Sequence, residues 1–440
     1  MIDLTDLDMW AREVPYDDFA RLRLQDPVSW FPEPAPNSGF WSVHRYEDIV
    51  AVSRDVKTFS SARGVSFEEP TDEDMAARTT IIDMDPPAHT RLRKVVSGAF
   101  SQRAVALYQD FVQKLTDCVL DEIGNYETVV SAGGAGGAGG AGGAGGAGGA
   151  GGAGGAASAE AAAGGTVTEF VEAVAKQVPI RVLARIMGLP EADLDLFIDL
   201  GDRLIANTDP DITDVVWGRD DTDAYRKYPF RSPYGKQLWE LGRKVIQSPH
   251  VDDVLGRVLQ AELTETELDN FFSIMVIAGN ETTRIAIAQG VLAFAQFPGQ
   301  WNTLRQNPEF LDTATDEVMR WTCPTHFMRR TATQDTTLHG KHIRKGDKVI
   351  LWYVSGNRDE AEFPDADTFD ITRDPNRHLS FGRDGPHLCL GVHLARLEVK
   401  IVLAALAKRV SRFELAGEPK RIRSNFTNGL RTLPVRMIPA

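Results

Sequence analysis

The sequence predicts a mainly α-helical fold with small β-sheets, and three observations carry this prediction. A helical pattern extends from Glu265 to Phe297, and Thr264 with Glu267 forms a capping box at its start. A second helical pattern runs from about Leu390 to Val410. Between these helices lie three short runs with strand character, namely His326–Thr331, Thr336–Leu338 and Lys348–Tyr353.

The first of these helices is expected to pass through the middle of the protein. Its centre, Phe271–Gly279, is apolar on all sides, which is typical of a buried helix. Pro298 is expected to end it, because proline lacks the amide hydrogen that a helix interior needs.

The other elements follow from similar patterns along the chain. A further helix is expected to begin at Asn307-Pro308, an N-cap followed by proline at the first helical position, and to end near Trp321. The segment Asp209–Tyr234 is polar and rich in aromatic residues, which favours a loop or lid. Apolar periodicity predicts the remaining helices over Arg91–Phe100, Ala104–Ile123, Val167–Met187, Glu191–Ile205 and Tyr234–Ile246.

Length and charge narrow the classes of protein. The chain has 440 residues, and 62 acidic against 48 basic side chains give a net charge of −14. This charge excludes an overall basic footprint for nucleic acid. No apolar stretch reaches the roughly 18 residues that a transmembrane helix needs. The acidic N-terminus lacks the apolar core of a signal peptide.

The cysteine content indicates a reducing compartment. Only Cys118, Cys323 and Cys389 occur, which argues against a disulfide framework and against a cysteine-rich zinc module. We therefore expect a cytoplasmic monomer that binds neither membrane nor nucleic acid.

One segment differs from the rest of the chain. Residues 132–155 repeat Ala-Gly-Gly, and residues 156–165 are nearly all small. Such a tract cannot bury enough apolar surface to offset the entropy of ordering its backbone. The repeat contains a formal GxGxxG spacing, but no apolar strand precedes it. We expect a single domain over residues 1–440 with a flexible insertion at 132–165.

The loop from Phe381 to Gly391 carries the strongest chemical signal. It delivers Cys389 to the start of an apolar helix, where the helix dipole favours a thiolate. Its glycines allow a flat ligand to approach the backbone closely. A thiolate as sole protein ligand to haem iron promotes O–O cleavage. The loop alone also allows an inert buried cysteine, or a metal site formed by His387, Cys389 and His393.

The centre of the long helix holds polar residues in apolar surroundings. Ala278 and Gly279 leave room beside the helix for a bulky group. Glu281 followed by Thr282 places an acid next to an alcohol, which a proton relay to bound oxygen needs. The alternative is a kink in which the Thr282 hydroxyl bonds back to the preceding turn.

Two further sets of charged residues are candidates. Glu317 and Arg320 are three apart on a predicted helix, and the ordinary interpretation is a surface salt bridge of little consequence. Five basic residues can together clamp two carboxylates of a ligand, although each alone suits a solvated surface: His89, Arg93, Arg330, His378 and His387.

Together these motifs closely resemble the cytochrome P450 family, from about Phe40 to Pro434 without the glycine-rich insertion. Four motifs stand in the family's order: Asp85-Pro86-Pro87 with His89 and Arg93, Ala278-Gly279-x-Glu281-Thr282-Thr283, Glu317-x-x-Arg320, and the Cys389 loop. The loop is one residue longer than usual, since Phe381 precedes Cys389 by eight residues.

The resemblance implies a role for each motif. Cys389 would be the axial ligand of haem b, and Phe381, Gly382 and Gly391 would border the cofactor. The propionates would be bound by His89, Arg93, Arg330 and His387. Ala278, Gly279, Glu281 and Thr282 would form the oxygen-activation site. Glu317, Arg320 and Arg373 would form a structural group.

The resemblance also implies the activity. It predicts a monooxygenase that activates O2, takes electrons from a ferredoxin and its reductase, and hydroxylates an unactivated C–H bond of a hydrophobic small molecule. Residues 280–284 resemble an actinobacterial group that acts on sterols, terpenoids and fatty acids. Specificity is expected in Ser60–Ile82, Asp209–Tyr234 and the turn near Phe327. The alternatives are a peroxygenase that uses H2O2, a non-catalytic haem-binding or sensor protein, and a helical structural protein without haem.

Overall fold

The structure is a computed structural model that describes residues 2–33, 37, 39–123, 166–250, 253–261 and 263–440. The insertion expected at residues 132–165 lies outside the described residues.

Helices dominate the described chain, which confirms the mainly α-helical prediction. The first part contains α1 (Leu7–Arg12), α2 (Tyr16–Gln25), α3 (Tyr46–Arg54), α4 (Asp72–Arg78), α5 (Ala88–Ser97), α6 (Gln102–Ala106) and α7 (Gln109–Asp121). The middle part contains α8 (Gln177–Ile186), α9 (Leu194–Ile205), α10 (Pro233–Ile246), α11 (Val254–Leu259) and α12 (Glu265–Gln296). The last part contains α13 (Pro298–Gln306), α14 (Leu311–Thr322), α15 (Tyr353–Gly356) and α16 (Val392–Arg409).

Small sheets accompany the helices. The strands are β1 (Val28–Phe31), β2 (Phe40–Val43), β3 (Phe59–Ser60), β4 (Thr166–Glu169), β5 (Phe327–Ala332), β6 (Thr336–Leu338), β7 (Lys341–Ile343), β8 (Lys348–Trp352), β9 (Val410–Leu415), β10 (Lys420–Arg421), β11 (Leu430–Thr432) and β12 (Pro434–Pro439). The largest sheet has the order β1-β2-β8-β5-β3, in which β2 and β8 are parallel and the other pairs antiparallel. A second sheet has the order β4-β12-β9, while β10 pairs with β11 and β6 with β7.

Helix α12 is the central element of the helical part. Its predicted capping box is present, since Thr264 Oγ1 accepts from the Glu267 amide at 3.2 Å and Glu267 Oε2 accepts from the Thr264 amide at 3.0 Å. The helix packs against α8, α9, α10, α14 and α16. Phe271, Phe272 and Phe294 are buried in this core, and each contributes roughly 1.5–3 kcal/mol by leaving water. The buried helix provides a rigid support for the polar residues at its middle.

A separate core packs around the five-stranded sheet. The ring of Trp352 stacks on Trp10 with centroids 5.5 Å apart, and Phe327 meets Trp352 edge-on at 5.0 Å. These rings fix the sheet from which β5 presents its arginines. Among the described residues, no helix is both long and apolar enough to cross a membrane.

The structure corrects three element predictions. Residues 167–187 were predicted as one helix, but Thr166–Glu169 forms β4 against β12 before a π-helical turn leads into α8. The β-branched run Thr-Val-Thr suits a strand once a distant partner is available. The predicted helix 104–123 is interrupted, because α6 ends at Ala106 and α7 begins at Gln109.

The third correction concerns the start of the helix at Asn307-Pro308. The Asn307 side chain makes no capping hydrogen bond, and its amide donates back to the Thr303 carbonyl at 2.8 Å. A 3-10 turn at Pro308–Phe310 precedes α14 instead. The asparagine side chain therefore bonds four residues back, to α13, and not forward to the helix that follows.

Candidate active site

The loop that ends in Cys389 is closed by backbone hydrogen bonds. The Cys389 amide donates to the Phe381 carbonyl at 2.8 Å, and the Gly382 amide donates to the Leu379 carbonyl at 2.7 Å. Gly382 has φ +69°, a conformation that glycine adopts without strain. Gly391 occupies the position before α16, so the cysteine lies just outside the helix start. The loop therefore holds Cys389 in a defined position.

Burial controls the protonation of the Cys389 thiol. Desolvation raises its pKa, while the Gly391 amide and the charges of Arg93 and Arg396 act in the opposite direction. The sequence led us to expect that the helix dipole would favour the thiolate of Cys389. In the protein without a bound metal, burial outweighs that effect and favours the neutral thiol. A bound metal ion deprotonates a coordinating thiol outright, so this unpaired thiol suits a metal centre.

Four of the five predicted carboxylate-binding residues converge beside this loop. The rings of His89 and His387 lie with centroids 4.4 Å apart. Arg93 donates to the Leu388 carbonyl at 2.5 Å. Arg330, on β5, lines the same cleft as His387 and Leu388. The structure thus brings together residues from α5, β5 and the cysteine loop.

The electrostatics of this basic cluster favour an anionic ligand. Burial, followed by the positive charges of Arg330, His89 and Arg93, lowers the pKa of His387 to about 3. His89 Nδ1 and Arg330 Nε are buried and have no hydrogen-bond partner within the part of the chain that the structure describes. Carboxylates would supply the missing acceptors and relieve the repulsion between the cations. The donor set therefore fits a ligand that bears carboxylates.

The fifth residue, His378, lies elsewhere. Its Nε2 is 3.6 Å from Asp316 Oδ1, and its ring centroid is 5.4 Å from that of Phe381. Asp316 also accepts from Arg396 at 2.7 Å. The structure therefore places His378 with Asp316 and not in the basic cluster.

One stripe of α12 is accessible near the middle of the helix, where most other residues are buried. Ile274, Ile277 and Thr282 are partly exposed and Ala278 is exposed. Ile277, Ala278 and Thr282 lie three, four and eight residues after Ile274, so the four residues share one face of the helix. Apart from Thr282 the stripe is apolar. It can therefore form one wall of a hydrophobic site with a single hydroxyl.

The Thr282 hydroxyl bonds back to its own helix, as one of the two sequence-based interpretations expects. Its Oγ1 donates to the Ala278 carbonyl at 2.8 Å. This bond uses the hydroxyl hydrogen and leaves the oxygen lone pairs free to accept. The bond orients Thr282 as an acceptor for water.

Glu281 points away from this stripe into a buried group of charges. Its side chain forms an ion pair with Arg284 one turn along, and both residues are buried. Burial raises the pKa of the Glu281 carboxyl, whereas the charge of Arg284 opposes this effect. Glu281 and Thr282 are neighbours in sequence but face different surroundings.

Glu317, Arg320 and Arg373 lie together in the interior. Arg320 donates to both oxygens of Glu317 at 2.7 Å, and neither residue is exposed. Arg373 Nε lies 3.4 Å from Glu317 Oε2. The Glu317–Arg320 pair is thus not the surface salt bridge that its spacing alone suggests.

The two segments to which specificity was assigned contact each other through ion pairs that sequence reasoning missed. The pairs are Asp74 with Arg226 at 3.1 Å, Glu73 with Lys227 at 2.7 Å, and Glu68 with Arg231 at 3.8 Å. In each pair the acid lies in the earlier segment and the base in the later one. Partners so far apart in sequence leave no local spacing signal.

Comparison with known proteins identifies the family. The family model described as Cytochrome P450 matches residues 234–436. Linalool 8-monooxygenase of Pseudomonas putida is 34% identical, and the alignment covers 99% of each chain. The chain belongs to the cytochrome P450 family. Steroid C26-monooxygenase of Rhodococcus jostii is 31% identical over 98% of this chain and 84% of that protein.

A solved cytochrome P450 supports the same assignment. The Mycobacterium marinum enzyme, crystallised with pseudoionone, has a TM-score of 0.82 and 32% identity, over 99% of this chain and 98% of that one. The protein is therefore a cytochrome P450 monooxygenase, an oxidoreductase whose family carries a haem-thiolate iron cofactor. The unpaired Cys389 thiol, the orphaned donors of the basic cluster and the accessible stripe of α12 fit such a cofactor.

Proposed function

We propose that this cytochrome P450 hydroxylates an unactivated C–H bond of a sterol, terpenoid or fatty-acid-like molecule in the cytoplasm. The convergence of the Cys389 loop with the basic cluster carries this proposal, and the accessible apolar stripe of α12 supports it. The relatives named for linalool and steroid oxidation support the hydrophobic substrate class. We propose that the chain acts as a single domain.

The protein's first task is to hold haem b. The Cys389 sulfur would ligate the iron, and the Gly391 amide would stabilise negative charge on that sulfur. His89, Arg93, Arg330 and His387 would bind the propionates, and Phe381, Gly382 and Gly391 would border the ring from the loop. When bound, a haem-thiolate supplies O2 activation and oxygen insertion into a C–H bond.

The second task is to position substrate and exclude water from it. Ile274, Ile277 and Ala278 present an apolar surface. Gly279, which the sequence suggested would leave room for a bulky group, instead lets α8 approach α12 closely, because Leu183 Cδ1 lies 3.2 Å from the position that a Cβ of Gly279 would take. Apolar surface of this kind binds a hydrocarbon skeleton mainly by removing it from water. The few polar groups at such a surface fix the orientation of the ligand.

The third task is proton delivery. Thr282 already donates to Ala278, so its oxygen accepts a hydrogen bond and holds a water molecule beside the reacting centre. Glu281 is the ionisable group adjacent in the chain, and it gives or takes a proton when its side chain leaves Arg284. The two residues divide the roles of water positioning and proton exchange.

Electrons are proposed to come from an acidic ferredoxin and its reductase. Lys94 on α5 and Arg103 on α6 are exposed, and α6 packs against α16, the helix after Cys389. Exposed Leu107 and Leu388 add apolar surface to this face. Basic residues around an apolar patch suit an acidic partner and accelerate its encounter.

One experiment tests the activity directly. The haem-loaded protein is screened against terpenoids, sterols and fatty acids for a substrate-induced change in haem spin state. Compounds that bind are then incubated with O2, reduced cofactor, a ferredoxin and its reductase, and separately with H2O2 alone. Hydroxylated product only in the first mixture supports the proposal. Product with H2O2 alone would indicate a peroxygenase, and binding without product in either mixture would indicate a sensor.

A further inference from the structure

A chain of buried charges connects Glu281 to a second helix. Arg284 contacts Glu281 with one terminal nitrogen and donates with the other to Asp202 Oδ1 on α9, at 2.7 Å. Lys176 Nζ lies 2.6 Å from Asp202 Oδ2, and also 2.9 Å from a carboxylate oxygen of the exposed Glu172. Positive and negative charges alternate from the centre of α12 to the surface.

We infer that Asp202 is a positioning residue that controls the carboxyl group of Glu281 through Arg284. The inference rests on the proposed proton role of Glu281. Asp202 is not one of the residues proposed above to hold the cofactor or the substrate, and its carboxylate pairs with Arg284 and Lys176. Asp202 acts by sharing the guanidinium that Glu281 also needs.

Burial has the largest effect on the pKa of Glu281, and the charges of this chain come next. Arg284 and Lys176 lower that pKa, whereas Asp202 raises it. On the other side of Glu281, Oε1 lies 3.1 Å from the position a Cβ of Gly429 would take, and the apolar side chain of Ile422 lies beside the same glycine. We therefore expect a change in the charge of Asp202 or Lys176 to alter the protonation of Glu281.

The chemistry of arginine determines what the chain can do. Arg284 cannot lose its proton in a protein, so protons do not travel through it. Its effect is to hold Glu281 in place and to stabilise the ionised form. Asp202 draws part of the guanidinium's hydrogen bonding away and adds a negative charge near Glu281, both of which favour the protonated acid. Asp202 thus keeps Glu281 able to carry a proton and to leave Arg284.

Two substitutions have opposite expected effects. Asp202→Asn removes the negative charge, leaves Arg284 to Glu281 alone and favours the carboxylate. Lys176→Gln removes the positive charge that neutralises Asp202 and favours the protonated acid. If the network had only a structural role, the two variants would not shift the protonation of Glu281 in opposite directions, because both of them break contacts of the same network.

The matched control is Asp199→Asn. Asp199 lies one turn earlier on α9, pairs with Arg203 at 2.9 Å and is more than half exposed. It carries the same charge change on the same helix but does not contact Arg284. It should leave Glu281 unaffected.

The first measurement follows Glu281 itself in the haem-loaded resting enzyme. Infrared difference spectra identify the band of its protonated carboxyl group as the band that Glu281→Gln removes, and its titration midpoint is then compared among variants. The midpoint should move to lower pH in Asp202→Asn, to higher pH in Lys176→Gln and not at all in Asp199→Asn. If Asp202→Asn does not fold, the direction in which Lys176→Gln shifts the midpoint tests the inference. An unchanged midpoint, or shifts of the same sign in both variants, would overturn the inference.

The second measurement separates this inference from the proposed function. Product formed per reduced cofactor is recorded against pH, and its alkaline decline should begin at lower pH in Asp202→Asn. If the infrared midpoint moves while this profile does not, Asp202 still positions Glu281, but Glu281 does not deliver the catalytic proton. If Glu281→Gln retains full coupling, the proton role in the proposed function is wrong whatever the infrared midpoint shows.

Discussion

Arg320 donates to both carboxylate oxygens of Glu317 at 2.7 Å, and both side chains are completely buried. Arg320 also donates to the carbonyls of Asn357, Ala366 and Thr368. One guanidinium thereby connects α14 with the segment between the large sheet and the cysteine loop. Because its hydrogen bonds are well satisfied, the pair fixes that segment in place.

We expect Glu317→Gln to destabilise the fold strongly. The substitution keeps the shape but leaves Arg320 as an uncompensated buried charge, which costs about 3–5 kcal/mol. Denaturant unfolding of the purified protein measures the change. Glu309→Gln at the exposed start of the same region is the control, and it should change stability by less than about 0.5 kcal/mol. Equal stability of Glu317→Gln and wild type would contradict the structural role of the pair.

Cys389 is expected to be required for the haem-thiolate spectrum. Thiolate ligation gives the strongly red-shifted Soret band of the reduced carbon monoxide complex, and Cys389→Ala should abolish it. Cys118→Ala, at an exposed cysteine, should keep it. The measurement is an absorption spectrum of each reduced variant under carbon monoxide. Retention of the band in Cys389→Ala would show that the iron ligand is misassigned.

The sequence could predict the long helices and the candidate residues, because periodicity, caps and turn residues act over a few positions. It placed Glu317 and Arg320 on one helix face. It could not show that the pair is buried, since the carbonyls that satisfy Arg320 come from residues more than 30 positions later. The same limit explains β4, whose strand character depends on pairing with β12.

The site shows this limit in finer detail. The motif with Glu281 and Thr282 predicted an acid beside an alcohol, yet helical geometry turns the acid toward Arg284 and the alcohol toward the accessible stripe. Asp202 carries no motif and is recognisable only through its contacts across α9 and α12. His378 had the right chemistry for a carboxylate clamp, but Asp316 pairs with it instead.

The glycine-rich tract offers a prediction based on its sequence. Replacing residues 132–155 with a short Gly-Ser link should leave haem content unchanged and the melting temperature equal or slightly raised. The reason is that loop-closure entropy grows slowly, by about 0.6 kcal/mol for each doubling of loop length. Haem absorbance and thermal melting of the shortened protein provide the test. Loss of folding would mean that the repeat packs against the rest of the protein.

Electron transfer should depend on the exposed basic face. Raising salt concentration should slow reduction by an acidic ferredoxin, because screening weakens the attraction between exposed charges. Reversing the charges in a Lys94→Glu, Arg103→Glu double variant should mimic high salt. Arg91 and Arg396 are less suitable because they pair with Glu267 and Asp316. The rate of the first electron transfer is measured by stopped flow. A rate that changes neither with salt concentration nor in the double variant would place the docking face elsewhere.

Thr282 is expected to govern how efficiently reducing equivalents reach the product. Its hydroxyl hydrogen is used by the Ala278 carbonyl, so the lone pairs of its oxygen are what it offers to a water molecule at the accessible stripe. Thr282→Ala removes that acceptor without touching the Cys389 loop or the apolar residues of the stripe. The variant should keep haem, its carbon monoxide spectrum and substrate affinity.

The expected defect lies in coupling. Thr282→Ala should consume reduced cofactor and oxygen but release more hydrogen peroxide for each product molecule, because the positioned water is lost. Thr282→Ser restores an oxygen at the same place and should recover most of the coupling. If the hydroxyl serves only to bond back to Ala278, both variants should change stability while coupling stays constant. The two roles are distinguished by measuring product formed per reduced cofactor, together with peroxide release, in wild type and both variants. Equal coupling in all three proteins would exclude Thr282 from proton delivery. The monooxygenase assignment would not be affected by that result.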